Sequence, residues 1–486
     1  MSSHGLKALF STSAMYAVAN LLQRGMMLIL LPIYARHFSK AEFGAMDMLY
    51  QGILVLIILS SFGMPQGLPR GIHQENATAE DGRRLLGVLT LFILPITAIT
   101  FALMWMFSDA IALVMFNEQG EGLWVRLGAA FFVAMVIQQY PLQIFKAYQR
   151  SFQYSLWSIG TFLIATACNL YFIVVMDMGL VGMLIANTIG FGVTGVIAFV
   201  SCLKLMKFNF DWYRLRPLLE FGLPMLPALL GRKILEASDR YMLPHYHSMD
   251  TLGEYVMGAK VANIVEVMVL VPFLFAWQPF FYSVAKRDDA QSIFARVTLY
   301  FLGMSAMVFM GMYILHGSVL DFIGNGDYNA SSVVVQILVL AALLNGIQYT
   351  ISPGIHIKNK LVQESSIMIA AAFLNVGLNF LLIPPYGAQG AAISTLLSYL
   401  IYLICTFTLS QMNYQVDYHW QRMAKILTIA ILFMAVIYWL DNMVLQLFLV
   451  LVFLLLGPVL DLYKNERDVL DTVLHKLRRQ KTNSSD

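Results

Sequence analysis

Charge is the scarcest commodity in this 486-residue sequence: Asp, Glu, Lys and Arg make up 12% of it, about half the share in soluble domains, against 59% hydrophobic residues. A chain so poor in charge cannot clothe a water-facing surface, which excludes an ordinary soluble enzyme. The formal net charge of +3 is too small to imply a nucleic-acid partner. Cysteine is nearly absent as well. Cys168, Cys202 and Cys405 lie far apart inside apolar stretches, so there is neither a disulfide framework nor a metal-ligand spacing. No G-x-x-x-x-G-K-[ST] phosphate loop occurs, which excludes P-loop hydrolysis of ATP. No cleavable signal is expected either, since the first apolar stretch is too long and lacks a small-residue cleavage site. Nothing calls for a cofactor.

What is present is a succession of apolar stretches, each long enough for the ~20 residues that cross a bilayer as a helix. They fall near 9–35, 43–62, 86–107, 123–145, 153–176, 179–203, 217–243, 252–284, 293–316, 330–353, 363–384, 387–410, 424–440 and 443–463. The expected fold is therefore an all-α polytopic membrane protein with about fourteen spans. Pro224 and Pro227 should loosen the seventh span, and Pro272 and Pro279 the eighth. Most of the 31 Lys and Arg fall on one side if both termini are cytoplasmic, leaving Arg36, Lys40 and Arg240 on the other. The loops at 108–122 and 317–329 then lie outside and carry acids without Lys or Arg. Two basic, aromatic or amphipathic segments, 207–216 and the tail around Val469–Leu477, are expected to rest on the membrane surface.

The chain repeats itself. Asn169 followed by Gly179-Leu180-Val181-Gly182 returns as Asn379 followed by Gly387-Ala388-Gln389-Gly390, and Phe43-Gly44 returns as Leu252-Gly253. Spans one to six thus correspond to seven to twelve, in the same orientation because six is even. The expected division is an N-lobe at 1–206, a linker helix at 207–216, a C-lobe at 217–411, an added pair of helices at 412–463 and a cytoplasmic tail at 464–486. Repeats of this kind place a substrate near the midplane between the lobes.

Buried charge follows the repeat. A shift of 208 or 209 residues carries Arg24 in the first span onto Arg232 or Lys233 in the seventh. Such charges cost roughly 2.5–3.5 kcal/mol each on insertion scales, so they face a wet interior, a partner or a ligand. Matched cations in both halves point to a central anion site formed by Arg24, Arg232 and Lys233, with Lys260 and Arg240 adding positive charge. Asp47, Glu236, Asp239 and Glu266 are the candidates for coupling or gating. Each has a plainer alternative. Asp47 could pair with Arg24, Arg232 and Glu236 could pair along one helix, and Asp239-Arg240 could be a gate between the halves. Gln23, Gln51, Gln138 and Gln139 could meet sugar hydroxyls or merely join helices, and Gly192 with Gly195 reads as close helix packing.

The run Glu220-Phe-Gly-Leu-Pro-Met-Leu-Pro227 leading to Ser238-Asp239-Arg240-Tyr241 resembles the seventh helix of the polysaccharide transporters, the Wzx-type flippases of the MATE-like or MOP superfamily. Leu252-Gly-Glu-Tyr255, Ala276-Trp-Gln-Pro-Phe280, Asn375-Val-Gly-Leu-Asn379, Ile383-Pro384 and Tyr386-Gly-Ala-Gln-Gly-Ala-Ala392 are similar too. The resemblance implies a carrier of undecaprenyl-pyrophosphate-linked oligosaccharides in the bacterial inner membrane, working with membrane lipids and a polysaccharide polymerase with its chain-length machinery. The driving force could be a coupling ion, H+ or Na+, the membrane potential, or removal of the product outside. Rival readings are a lipid II flippase, an ion-coupled drug antiporter, which would favour an acidic cavity, and a membrane glycosyltransferase or polymerase, which would favour a large catalytic loop.

Overall fold

A computed structural model describes residues 29–68, 72, 79–116, 122–440 and 442–456. Arg24, Gln23 and the tail at 464–486 lie outside the described residues. Among the described residues all regular structure is helical. That is the outcome the bilayer imposes, because hydrocarbon offers no water to bond a backbone N–H or C=O.

The N-terminal half holds α1 (residues 29–37), α2 (Lys40–Ser61), α3 (Ala79–Met106), α4 (Ser108–Phe116), α5 (Gly122–Ala147), α6 (Ser151–Asn169) and α7 (Gly179–Cys202). A short helix, α8 (Trp212–Gly222), links it to α9 (Leu226–Tyr246), α10 (Met249–Val265), α11 (Val271–Val284), α12 (Ala290–Gly324), α13 (Ser332–Ile351), α14 (Pro353–Ile357) and α15 (Leu361–Asn413). Then come α16 (Trp420–Trp439) and α17 (Met443–Leu455), which pack against α12.

Ten helical segments among the described residues are long and apolar enough to cross a membrane, so the chain is a multi-pass membrane protein. Four features separate that number from the expected fourteen. The 53-residue α15 holds two expected spans, divided at Gly387. Five charged residues, Arg232, Lys233, Glu236, Asp239 and Arg240, keep α9 out of the tally. Only 13 residues of α17 are helical. The first expected span lies mostly outside the described residues.

The prolines act where expected. Leu223–Met225 forms a 3-10 turn around Pro224 between α8 and α9, and a π turn at Glu266–Leu270 precedes Pro272 between α10 and α11. Two boundaries move. The loop expected at 108–122 contains the helix α4, tied to α5 by Arg126, which bonds Ser108 Oγ at 2.9 Å and Asp109 at 3.1 Å. The linker helix begins at Trp212 rather than residue 207, because Asp211 caps it by accepting from Tyr213 N at 2.9 Å. Residues 207–211 instead lie along the start of α3, held by Lys207–Glu80 at 2.8 Å and by Lys207 N donating to Arg83 O.

The repeat is visible in backbone detail. Gly179 and Gly387 both sit at φ +53°, each turning the chain from one hairpin helix into the next. Three residues on, a Cβ at Gly182 would stand 3.0 Å from Phe172 O, and one at Gly390 would collide with Leu382 O. Asn169 accepts from Tyr34 Oη at 3.0 Å and donates to Asn187 at 2.9 Å, tying α6 to α1 and α7. Its counterpart Asn379 donates to Ser238 Oγ at 3.1 Å, tying α15 to α9. Replacing either Gly179 or Gly387 by Ala is expected to cost roughly 1–3 kcal/mol, the penalty of a Cβ on a sparsely populated, positive-φ backbone. The thermal midpoint in detergent checks it: similar falls at both sites are expected, and unchanged midpoints would contradict the shared turn.

Gln138 donates to Thr161 at 3.2 Å, and Gly195 lies against the Gln138 backbone, so both serve packing of α5, α6 and α7.

Candidate functional site

The site begins with a helix that sequence alone marks as unusual. In α9 the spacing Arg232, Glu236, Arg240 stacks charges on one face, and the prolines at its start leave it joined to α8 by a turn rather than a continuous helix. One side of α9 faces α2 of the other half, and the other faces α13 and α15 of its own half.

Near the α1–α2 turn, Asp47 of α2 reaches across between the halves. Its carboxylate accepts from Arg240 Nε at 2.6 Å and from the Lys260 ammonium of α10. Arg240 also bonds Asp239 at 2.9 Å and the Glu236 carbonyl, while the Tyr255 hydroxyl donates to the other oxygen of Asp239. The Arg240 guanidinium lies 5.6 Å from the Tyr255 ring centre. Asp47 and Asp239 are 1% exposed, Arg240 and Lys260 8%. Two carboxylates and two cations make this network neutral, as burial demands. Among the described residues, Asp47 pairs with two cations of the opposite half; the Arg24 alternative lies outside the described residues. Arg240 and Lys260, the further cations expected at the anion site, both bond carboxylates here.

Around this network the two halves are closed together at the α1–α2 end. Gly44 and Gly253, the glycines of the repeated Phe-Gly and Leu-Gly pairs, meet each other. A Cβ on Gly44 would lie 3.0 Å from Gly253 N, and one on Gly253 would strike the Lys40 carbonyl. Outside that crossing, Lys40 pairs with Glu254 at 2.8 Å and Arg36 donates to Phe322 O at 2.6 Å. Phe43 meets the Tyr328 ring at a tilt, centroids 5.9 Å apart, and Tyr241 donates to Met48 O at 3.0 Å. Burial pushes the Tyr328 phenol in the loop after α12 up to about 12, so it stays neutral in this contact. At the opposite end, the α8–α9 junction packs at Gly222 against Phe62 and Gly63, so the contact there runs through the linker itself.

Two turns along α9 from the network, the balance changes. Arg232 Nε bonds one oxygen of Glu236 at 2.9 Å and Lys233 Nζ bonds the other at 2.7 Å. Arg232 also donates to Tyr349 Oη of α13 at 3.3 Å. Two cations thus share the Glu236 carboxylate. The Arg232 side chain is 43% exposed and Lys233 22%, against 10% for Arg240. The intrahelical pairing weighed from sequence is present, and the pair nevertheless keeps donors to spare: a guanidinium has five N–H groups and an ammonium three. Glu266 opens the π turn after α10, half-buried and within electrostatic reach of Tyr399. The structure brings Asp47, Glu236, Asp239, Arg240 and Lys260 together with Arg232 and Lys233 along α9. It adds Tyr255, Tyr349 and Tyr399, which no charge pattern had singled out.

Comparison with known proteins completes the description. The family described as "Polysaccharide biosynthesis protein" matches residues 10–285. An uncharacterized membrane protein of Methanocaldococcus jannaschii is 22% identical over 454 residues, covering 86% of this chain and 87% of that protein. Among solved structures, the lipid II flippase MurJ in an inward closed conformation superposes with a TM-score of 0.73 at 15% identity, over 94% of this chain and 99% of its own. An inward-facing multidrug-resistance MATE transporter of the MOP superfamily gives 0.65 at 14% identity, over 83% and 96% of the two chains. An outward-facing MATE transporter gives 0.54 at 15% identity, over 85% and 96%. The shared fold is that of MurJ and the MATE transporters.

Proposed function

Because this chain belongs to the polysaccharide biosynthesis protein family, we propose that it is a flippase, carrying undecaprenyl-pyrophosphate-linked oligosaccharide repeats across the bacterial inner membrane by alternating access. The observation that carries the reading is the pair Arg232 and Lys233, both bonded to Glu236 and partly exposed, on a broken helix between the halves. A pyrophosphate is the anion whose crossing of hydrocarbon most needs such a pair. Arg binds phosphate oxygens bidentately and Lys as a point charge. Arg24 is proposed to complete the site from the other half.

In this reading both termini are cytoplasmic, the α1–α2 end faces the periplasm, and the structure is closed there. The better superposition on the inward-facing than on the outward-facing MATE transporter supports that assignment. The substrate enters from the linker end and its head settles against Arg232. Opening the far side then requires Arg240 and Lys260 to leave Asp47. These two cations act as a gate in this scheme, not as the primary phosphate site. A coupling proton or Na+ would act on the same element. Bound at Asp47 or Asp239, it competes with the cations that hold the halves together. Glu236, bonded to both cations, and Glu266, at the π turn after α10, are the other coupling candidates. The oligosaccharide leaves towards a periplasmic polymerase and its chain-length machinery, while the polyprenyl tail stays among membrane lipids beside α16 and α17.

The likeness to MurJ favours lipid II as the competing substrate. Flipping in proteoliposomes decides between them. A fluorescent undecaprenyl-pyrophosphate oligosaccharide is expected to become protected from an external quencher in a protein-dependent manner, faster than lipid II. Preference for lipid II would move the chain to that substrate. Proton-driven uptake of a cationic dye with no lipid movement would overturn the flippase reading.

A further inference from the structure

A polar wall runs from Arg232 towards the linker end of the C-terminal half, and neither the gate nor the phosphate site uses it. Arg232 bonds Tyr349 at 3.3 Å. Tyr399 lies within electrostatic reach of Arg232 and Tyr349, and Tyr402 of Arg232, Tyr349 and Glu364. Glu364, in the first turn of α15, accepts from Gln348 Nε2 at 3.0 Å. Tyr349, Tyr399 and Glu364 are half-buried, whereas Tyr402 and Gln348 stand behind them, 4% and 2% exposed. The direction follows from contacts between α9 and α15. Ser238 meets Asn375, His247 meets Ile383 and Gly231 meets Ile369, so Glu364 lies beyond Arg232 on the side away from the closed end.

The chemistry of this wall is that of carbohydrate, not phosphate. Phenol rings give an apolar face for the C–H side of a pyranose and a hydroxyl for its rim. A carboxylate fixed by an amide accepts sugar hydroxyls strongly, and charge-assisted bonds of this kind run at roughly twice the strength of neutral ones. The same carboxylate repels another. We propose that Tyr349, Tyr399 and Glu364 form the subsite for the sugar next to the pyrophosphate, and that Glu364 makes it selective for a neutral or amino sugar over a uronic acid. Gln348 and Tyr402 position Glu364 and the phenols. The assignment rests on the flippase reading and names the sugar end of that same site.

The test uses the full chain in proteoliposomes and two fluorescent undecaprenyl-pyrophosphate trisaccharides that differ only in the first sugar, one an N-acetylhexosamine and the other a hexuronic acid. The neutral lipid is expected to flip at least about tenfold faster, a modest share of what juxtaposed like charges cost. Glu364→Gln is expected to narrow that ratio to about threefold or less, because removing the charge removes the repulsion. The ratio within one preparation is insensitive to how much protein folds, since misfolding lowers both rates together. Equal rates in the unsubstituted protein, or an unchanged ratio in Glu364→Gln, would overturn the subsite while leaving the flippase reading intact. Movement of neither lipid would overturn both.

Discussion

Asp47→Ala is expected to be the most damaging single substitution in the protein, costing about 3–5 kcal/mol, the range for removing one partner of a buried ion pair. Domains hold only about 5–15 kcal/mol in reserve, so much of the folded population should disappear. The cause is electrostatic. Arg240 and Lys260, each 8% exposed, would be left buried side by side in the C-terminal half with Asp239 as their remaining carboxylate. The Asp239 carboxylate is already engaged by Arg240 and the Tyr255 hydroxyl. The thermal midpoint of detergent-solubilised protein reads the loss. A second variant separates charge from volume: Asp47→Leu and Asp239→Asn combined with Lys260→Met and Arg240→Met should recover most of the midpoint, since apolar or uncharged replacement of a whole buried ion group is often neutral. That quadruple variant should be stable yet slow at flipping, because its halves are held by contacts that a coupling ion no longer weakens. An unchanged midpoint for Asp47→Ala would show that the network does not hold the halves together.

The second large effect is expected at the other end of α9. Arg232→Ala with Lys233→Ala should reduce flipping by roughly 100-fold, the factor that ~3 kcal/mol of lost charge-assisted binding corresponds to. The folded protein should remain abundant, because this pair is more exposed than Arg240 and its loss strands only one partly exposed carboxylate, Glu236. Arg232→Lys should keep part of the activity if net charge dominates and lose it if bidentate geometry does. Adding Glu236→Gln to the double variant should restore any loss of abundance without restoring flipping. Normal flipping by the double variant at normal abundance would remove the cation pair from the mechanism. The contrast between the two sites is itself a prediction. Asp47 variants are expected to fail first in stability, and Arg232/Lys233 variants first in transport.

Much of this was legible before any coordinates, and the reasons differ by residue. Span positions follow from apolar stretches because the bilayer allows little but helices. The turn glycines Gly179 and Gly387 were legible because a left-handed backbone demands glycine, and the same demand recurs in both halves. Gly44 and Gly253 were visible as a repeat, though that they touch was not, since an axis of pseudo-symmetry is a three-dimensional fact. The charged residues of α9 were visible as a cluster, but their division into a sealed network and a half-exposed pair was not. That division depends on Asp47 and Lys260, which lie far from α9 in sequence and arrive through packing of α2 and α10. Tyr349, Tyr399 and Glu364 escaped notice because tyrosines and a glutamate at the end of a span fit ordinary membrane-interface chemistry, and Tyr255 stood out only as part of a family motif. Tyr349 and Tyr399 are distinguished by their approach to Arg232, Tyr255 by its bond to Asp239 and Glu364 by its bond to Gln348. Arg24, the first cation the repeat singles out, lies outside the described residues, so its place opposite Arg232 stands as a proposal.

The central claim is that the Arg232–Lys233 pair binds the pyrophosphate of a lipid carrier. The most direct measurement is equilibrium binding of undecaprenyl pyrophosphate, undecaprenyl monophosphate and undecaprenol to the detergent-solubilised full chain, for the unsubstituted protein and for Arg232→Ala/Lys233→Ala. Tightest binding to the pyrophosphate, weaker to the monophosphate and weakest to the alcohol, with that order flattened in the double variant, is the predicted result. Equal affinity for all three lipids, or an order that survives the double substitution, would contradict it.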